Sequence, residues 1–562
     1  VYFQKNTLRF SIIFILFLSL LLYFAVHLIL IQVFRSSYLS KLAQKQHQYM
    51  VELEAVRGTI FDRRMRPLAF NVPVYSIFAN PRVMKEEDKL RVLRELPAII
   101  PVDKESLRQR LNKDKYFVWL YRKVPADIAK KVKDLKLRGI DFRKESRRYY
   151  PGGELAAHVI GFAGVDNEGL EGLELAYDKL LKGRSGWMRV LRDARQRELM
   201  IYDEFTPPRD GNQLILTIDE TIQYIAERAL DKAFKKHNAR GAVIVVMDVG
   251  TGEILALANR PTFDLAKFAT SAPETHTNRA VIYMYEPGSV FKIVTASAAL
   301  EENAFKETDK IFCENGQYRI ANHILHDTHG AGMLTFQQVI ENSSNIGTTK
   351  IAQKLGPNMV YKYADRFGFG RLTGIDLHGE VSGILKNPSL WSKTSIGAVP
   401  IGQEVTVTPL QLLRAIAAIA NDGVLMKPYI VKAVKDTKGE LIRSFGPEIA
   451  GRVISPDTAE RMKRILAGVV ERGTGQRAKI EGIPTAGKTG TAQKVEDGRY
   501  SHSKFYASFI GFAPVDEPRL AAVVVFDEPH PAYYGGTVAA PVFKEVMENS
   551  LKYLEVVEAT GI

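Results

Sequence analysis

Glu286-Pro287-Gly288-Ser289-Val290-Phe291-Lys292-Ile293-Val294-Thr295-Ala296-Ser297-Ala298-Ala299-Leu300 is a turn followed by a helix. Pro-Gly marks the turn. Ile293, Ala296 and Leu300 then fall on one face, as helical spacing requires. Ser289 and Lys292 are i and i+3, so the helix sets their side chains next to each other. A serine hydroxyl is a weak nucleophile and needs a base within hydrogen-bond reach. A lysine kept neutral by burial and nearby positive charge can be that base. Alone the pair is a weak signal. Ser501-His502-Ser503-Lys504 repeats it in a polar stretch that reads as a loop with no helix behind it.

Two more motifs follow in order. Ser343-Ser344-Asn345 lies between two helical patterns, inside Glu341-Asn342 and Ile346-Gly347, and reads as a loop or helix junction. By itself it would be an ordinary helix cap. Lys488-Thr489-Gly490-Thr491 follows Ala486-Gly487. Small residues and Thr suit a strand edge that a ligand approaches closely, and Lys488 offers a fixed positive charge to an anionic substrate. The combination is far more specific than any member: Ser-x-x-Lys, Ser-Asp-Asn and Lys-Thr-Gly recur together in penicillin-binding proteins and class A β-lactamases. Here the middle residue of the second motif is Ser344 rather than Asp.

Outward from these motifs, Leu214 to Asp219 reads as a strand closed by a capping Asp, and Glu220 to Lys236 as an amphipathic helix. Gly241 to Asp248 is a buried strand that turns at Gly250-Thr251-Gly252 and pairs back through Ile254 to Ala258 as a hairpin. Helices dominate from about Val290 to Ala420, and strands return around Lys488 and at Leu520 to Phe526. Strand runs flanking a helical block predict an α+β fold. Thr206-Pro207-Pro208-Arg209-Asp210-Gly211 marks a boundary. Before it, Val56 to about Pro208 reads as short strands and turns, with Arg57-Gly58-Thr59-Ile60-Phe61-Asp62-Arg63, His158 to Phe162 and Gly169 to Glu174 among them. Ser36 to Glu54 is compatible with a helix.

Residues 10–34 read FSIIFILFLSLLLYFAVHLILIQVF, interrupted only by Ser11, Ser19, His27 and Gln32. As a helix this run rises about 38 Å, enough to cross a hydrocarbon core of about 30 Å. A signal-peptide core is shorter and ends at small residues. Phe34-Arg35-Ser36-Ser37 is a poor cleavage site, so an uncleaved anchor is expected. Lys5 and Arg9 before the run and Arg35, Lys41 and Lys45 after it nearly balance the positive-inside rule. Orientation must then follow from the chemistry. His27 is read as facing a partner helix or an interface. Val1-Tyr2-Phe3-Gln4 is read as an expression scar.

The chain has 562 residues, enough for one large domain and one or two smaller ones, and a formal charge of +14. Its Lys and Arg are scattered, with one modest cluster at Arg143, Lys144, Arg147 and Arg148 that reads as a solvated face. No nucleic-acid-binding signature is present. A lone thiol, Cys313, cannot form an internal disulfide and reads as a packing residue. His323, His326, Asp327 and His329 are the one group with a metal-site look. No His-Glu-x-x-His occurs, and no metal is expected.

With these motifs in place, the chain resembles a class B penicillin-binding protein over nearly its full length. Arg57-Gly58 with Asp62-Arg63 is similar to the family's start-of-pedestal motif, although Arg64-Met65-Arg66 stands where that motif usually turns through Asn-Gly. Gly402-Gln403, Val407-Thr408-Pro409-Leu410-Gln411, Tyr533-Tyr534-Gly535-Gly536 and Val538 to Phe543 also resemble the family, the last two stretches favouring its division (FtsI-like) branch over the elongation branch.

The resemblance implies an α+β chain with a short cytoplasmic tail (1–9), one transmembrane helix (10–34) and a linker helix with an elongated β-rich pedestal (35–208). A transpeptidase domain (209–556), an antiparallel sheet flanked by helices plus a helical subdomain, and a tail (557–562) complete it. The implied activity is a peptidoglycan D,D-transpeptidase, with no cofactor. Ser289 would attack the carbonyl between the terminal D-alanines of a stem peptide, and Lys292 would take its proton. Ser343 would relay a proton to the leaving amine, and Asn345 would hold the peptide. Lys488, Thr489, Gly490 and Thr491 would bind the terminal carboxylate, with the N–H groups of Ser289 and Thr491 as oxyanion hole. A β-lactam would stay attached. The implied location is the cytoplasmic membrane with the catalytic domain outside, beside a polytopic FtsW-like or RodA-like (SEDS-type) glycan polymerase met through the helix and pedestal. Two other readings share these motifs: a carboxypeptidase or β-lactamase that gives the acyl group to water, and a scaffold or β-lactam sensor.

Overall fold

A computed structural model describes residues 2–39, 48–192, 198–199, 205–496 and 498–560. It forms two compact units: Val1–Ala55 with Gly183–Asp210, and Val56–Lys182 with Gly211–Ile562.

In the first unit, Tyr2–Ile29 is an α-helix continued by a wider π-helical stretch, Leu30–Phe34. Among the described residues it is the one helix long and apolar enough to cross a membrane, and from Thr7 onward its side chains are exposed. The helix expected over Ser36–Glu54 is not continuous. Residues 36–39 are helical, 40–47 lie outside the described residues, and Gln48–Leu53 is a strand. It pairs antiparallel with Gly186–Arg192 (Leu53↔Gly186), more than a hundred positions later. The alternation Tyr49, Val51, Leu53 has a strand's period of two, and the distant partner decides the outcome.

One half of the second unit is built on five antiparallel strands: β1 (Gly241–Asp248), β2 (Ile254–Arg260), β3 (Ala486–Glu496), β4 (Arg499–Ala513) and β5 (Leu520–Asp527). Their spatial order is β2-β1-β5-β4-β3, which leaves β3 at an edge. β1 is apolar throughout because both faces are covered. Ala242, Ile244 and Val246 join a cluster with Ile222, Leu230, Phe543 and Met547, from helices α1 (Glu220–Lys236) and α2 (Ala540–Thr560). Val243, Val245 and Met247 join the opposite cluster with Ile293 and Leu413, from the buried helices Lys292–Glu301 and Pro409–Ala420. Asp219 caps α1, accepting from the N–H groups of Thr221 and Ile222.

Between the helices of residues 290–420 lie two small hairpins, Lys310–Phe312 with Met333–Thr335 and Gln317–Ile320 with His323–His326. They interrupt the helical block expected there.

The other half of this unit carries longer strands than expected. Pro67–Ala79 runs antiparallel to both Val118–Val124 and Ile140–Tyr149. Three helices, Glu86–Glu95, Lys104–Leu111 and Ala126–Asp134, cover a core of Ile77, Val92, Leu107, Leu120 and Val132. Glu86–Glu95 buries only Val92, so its sequence carries almost no apolar stripe. The sheet also crosses the Pro-Gly boundary: Gln213–Leu216 pairs in parallel with Ile60–Phe61. The turn that Arg64-Met65-Arg66 put in question is present. Met65 adopts φ 63°, and buried Asp62 Oδ1 accepts from the N–H groups of Arg64 and Arg66, both at 2.8 Å.

Candidate active site

Ser289 sits in a 3-10 turn, Gly288–Phe291, that runs directly into the helix Lys292–Glu301. The turn is locked from behind. Gly288 N–H donates to Gly402 O at 3.0 Å, and Tyr285 and Val407 exchange backbone hydrogen bonds. Gly402 has φ +82°, and a Cβ there would lie 2.1 Å from Gly288 O, so only glycine fits. β3 crosses in front. A Cβ on Gly490 would lie 3.1 Å from Pro287 O and 2.3 Å from Ser508 Oγ, so the bare strand lets the Ser289 turn and β4 close on it together.

Lys292 is fully buried. Its Nζ donates to Ser343 O at 2.5 Å, Asn345 Oδ1 at 2.8 Å and Ser343 Oγ at 3.2 Å. Ser343 adopts the left-handed conformation, φ 58°, which turns its carbonyl and hydroxyl toward the same ammonium. Lys488 Nζ reaches Ser343 Oγ from the other side at 2.9 Å. One hydroxyl therefore bridges two lysines.

Burial pulls the proton affinity of Lys292 down to about 7, against the attraction of Asp327. Lys488 is equally buried, and burial with the neighbouring Lys292 lowers its proton affinity well below the usual lysine range.

Thr489 and Thr491 lie on β3 beside Lys488. Thr489 Oγ1 is 2.7 Å from Thr474 Oγ1, and Thr491 Oγ1 accepts from Gly535 N–H at 3.1 Å. The Tyr533-Tyr534-Gly535-Gly536 stretch is thus packed against this strand.

Asn345 begins the helix Asn345–Leu355, and Ser344 is its N-cap, accepting from Gly347 N–H. Asp327, which the sequence sets among three histidines and the family resemblance sets in a metal-free loop before the second-motif helix, directs its carboxylate to this helix start. It accepts from Ser344 Oγ at 2.6 Å, Asn345 N at 2.5 Å and Ile346 N at 3.1 Å. His323 and His326 lie on a hairpin strand, and His326 contributes its carbonyl to Asn345 Nδ2 at 2.9 Å. No local pattern marks Asp327 for this role. Cys313 is buried, with its thiol 3.7 Å from Ile311 O.

The second Ser-x-x-Lys is in β4 rather than in a loop. Ser501 Oγ accepts from Lys504 N–H at 3.3 Å, and Lys504 pairs with Glu496. A strand directs these side chains apart from any helical partner.

Residues 242–548 match the penicillin binding protein transpeptidase domain, and residues 52–216 the penicillin-binding protein dimerisation domain. The chain belongs to the penicillin-binding protein transpeptidase family. The pairing of these two domains marks it as a class B member, as the sequence resemblance implies. It is 36% identical to stage V sporulation protein D of Bacillus subtilis over 561 residues, covering 98% of this chain and 86% of that one. It is also 36% identical to peptidoglycan D,D-transpeptidase FtsI of Escherichia coli over 512 residues, covering 90% and 85%. The crystal structure of penicillin binding protein 3 from Mycobacterium tuberculosis, complexed with aztreonam, superposes with a TM-score of 0.71 at 29% identity, covering 90% of this chain and 98% of that one.

Proposed function

We propose that this penicillin-binding protein is a serine peptidoglycan D,D-transpeptidase of the division type, acylated at Ser289. The observation that carries the reading is the convergence of Lys292, Ser343, Asn345 and Lys488 on one buried hydrogen-bonded cluster beside the Ser289 turn.

In this reading neutral Lys292 accepts the Ser289 proton as Oγ bonds to the carbonyl carbon of the penultimate D-alanine. The N–H groups of Ser289 and Thr491 stabilise the oxyanion. The amide bond breaks, and the leaving D-alanine amine takes a proton through Ser343. An amine of a second stem peptide then attacks the ester, forming the cross-link and returning the proton to Ser289. Asn345 holds the donor peptide. Thr489, Gly490 and Thr491 receive its carboxylate, whose charge favours the ammonium form of buried Lys488. A β-lactam follows the first half of this path and remains as an ester.

The Tyr2–Ile29 helix and its extension hold the protein in the cytoplasmic membrane with the N-terminus inside, and the catalytic unit works outside. A SEDS-type glycan polymerase is the expected partner, because strands must be made where they are cross-linked.

Labelling with a fluorescent penicillin tests the reading. Stable label on the wild type and on Ser501→Ala, with none on Ser289→Ala, is the expected result. An unlabelled but folded wild type would overturn it. Analysis of products from a defined stem peptide and an amine acceptor separates transfer from hydrolysis.

A further inference from the structure

Between β2 and the Ser289 turn, residues 263–278 form a strap that two histidines fasten to the half matched by the dimerisation domain. The first is His158, buried on Ala157–Ile160, whose Nε2 donates to Thr275 O at 2.8 Å. The second is His276, at the end of the 3-10 turn Pro273–His276. Its ring packs against Phe162 and Phe263, with centroids 5.2 and 4.3 Å away. Phe162 also stacks on Phe268 at 4.2 Å. Beyond the strap, Tyr283 OH donates to Asp527 Oδ2 at 2.5 Å, and Tyr285 leads into the Ser289 turn.

His276 touches a hydroxyl on one side and a carboxylate on the other. Ser271 Oγ lies 2.7 Å from Nε2, and Glu171 Oε1 lies 3.5 Å from Nδ1. The order Ser-His-Glu is that of a hydrolytic triad, but the protons are placed differently. Ser271 has one proton and donates it to Phe268 O at 2.8 Å, so the proton in the Ser271–His276 bond belongs to Nε2. A neutral ring would then turn the bare lone pair of Nδ1 toward Glu171, which is acceptor-only when ionised. One further proton between Nδ1 and Oε1 converts that repulsion into an ion pair.

From this proton count we infer that His276 and Glu171 form a pH-dependent clasp, closed by one shared proton, which holds the strap before Ser289 to the dimerisation-domain half. Loss of the proton sets two acceptors face to face and opens the clasp. The Phe162–Phe268 stack and the His158 bond remain, so the strap loosens without detaching. The closed state is favoured at low pH and lost as pH rises. Protonation of Glu171 as well leaves Nδ1–H a neutral carboxyl to donate to, so acid does not open it.

The groups around the clasp leave this sign intact. Burial raises the proton affinity of Glu171, while His276 lowers it. His158 faces His276 from Ala157–Ile160, with Arg279 and Arg260 beyond it, and burial pulls its proton affinity down to about 4. It therefore stays neutral, and its bond to Thr275 is permanent where that of His276 is conditional. On the strap itself Lys267 pairs with Asp264, and Glu274 is exposed.

Hydrogen exchange of the full chain tests the clasp at about pH 5.5 and pH 8.5, on either side of the range in which histidines change charge. Rates are normalised to the intrinsic chemical rate at each pH, with peptides from Glu220–Lys236 as internal reference. In the wild type, protection of residues 263–278 should fall about threefold or more at the higher pH. His276→Gln keeps a donor for Ser271 and has no proton to lose, so its protection should not change with pH. Glu171→Gln offers an amide N–H to the bare Nδ1, and should keep at pH 8.5 the protection that the wild type shows at pH 5.5. Wild-type protection that is flat across pH overturns the inference. So does a fall in Glu171→Gln equal to that of the wild type, a readout that stands even if His276→Gln does not fold. The measurement uses no chemistry at Ser289, so a folded wild type that fails to take up penicillin overturns the proposed function and leaves the clasp in place.

Discussion

At the scale of one residue, the proposed role of Lys292 as general base makes a pH prediction. A general base acts as the free amine, and burial brings its proton affinity to about 7. Acylation should therefore rise with pH and reach half its plateau near pH 7, the limb being lost as Lys292 is protonated below that value. Stopped-flow or gel-based acylation at saturating pH steps measures it. A half-point near the ordinary lysine value would mean that Lys292 is solvated as a cation in solution. The same burial explains why arginine is no substitute here. Its guanidinium stays charged at any working pH.

Gly402 belongs to the scale of the element. It supports the Ser289 turn from behind, and its φ of +82° and a would-be Cβ contact of 2.1 Å with Gly288 O leave no space for a side chain. Gly402→Ala should cost about 2–5 kcal/mol, combining a left-handed non-glycine residue with overpacking. Urea unfolding reads that loss. Acylation should fall further than stability accounts for, because relief of the clash displaces Gly288 and with it Ser289. Unchanged acylation in the folded variant would show that the turn holds without this contact.

At the scale of the whole second unit, the buried guanidinium of Arg57 ties distant segments together. It donates to Glu174 Oε2 at 2.5 Å, Asp178 Oδ1 at 2.6 Å, Asn167 O at 2.9 Å and Glu174 O at 2.7 Å. Arg148 holds the other oxygen of Glu174 at 2.6 Å. Arg57→Ala would leave a buried carboxylate with one partner where it had two, a loss of about 3–5 kcal/mol. Chemical denaturation should show that loss, while the folded fraction still takes up penicillin, since none of these groups touches the lysine pair. Stability within experimental error of the wild type would assign the network a role other than holding the fold.

The sequence by itself determined the periodic parts and singled out the motif residues. β1, β2 and α1 follow from local apolar patterning and an Asp cap, and the reactive motifs from residue types at fixed spacing. It also marked Asp62-Arg63 and Glu174 as motif residues without saying what they touch. Only the tertiary structure decided that Gln48–Leu53 is a strand, because its partner Gly186–Arg192 is remote in the chain. It alone exchanged the expected loop around Ser501 for β4, and it showed Lys488 fully buried. Asp327 is the sharpest case. Next to three histidines it looks like a metal ligand, and only folding brings the start of the Asn345–Leu355 helix onto its carboxylate. Local pattern records what a residue can do. Burial and the partners supplied by distant segments fix its proton affinity and its hydrogen bonds, and those are set only when the chain has closed.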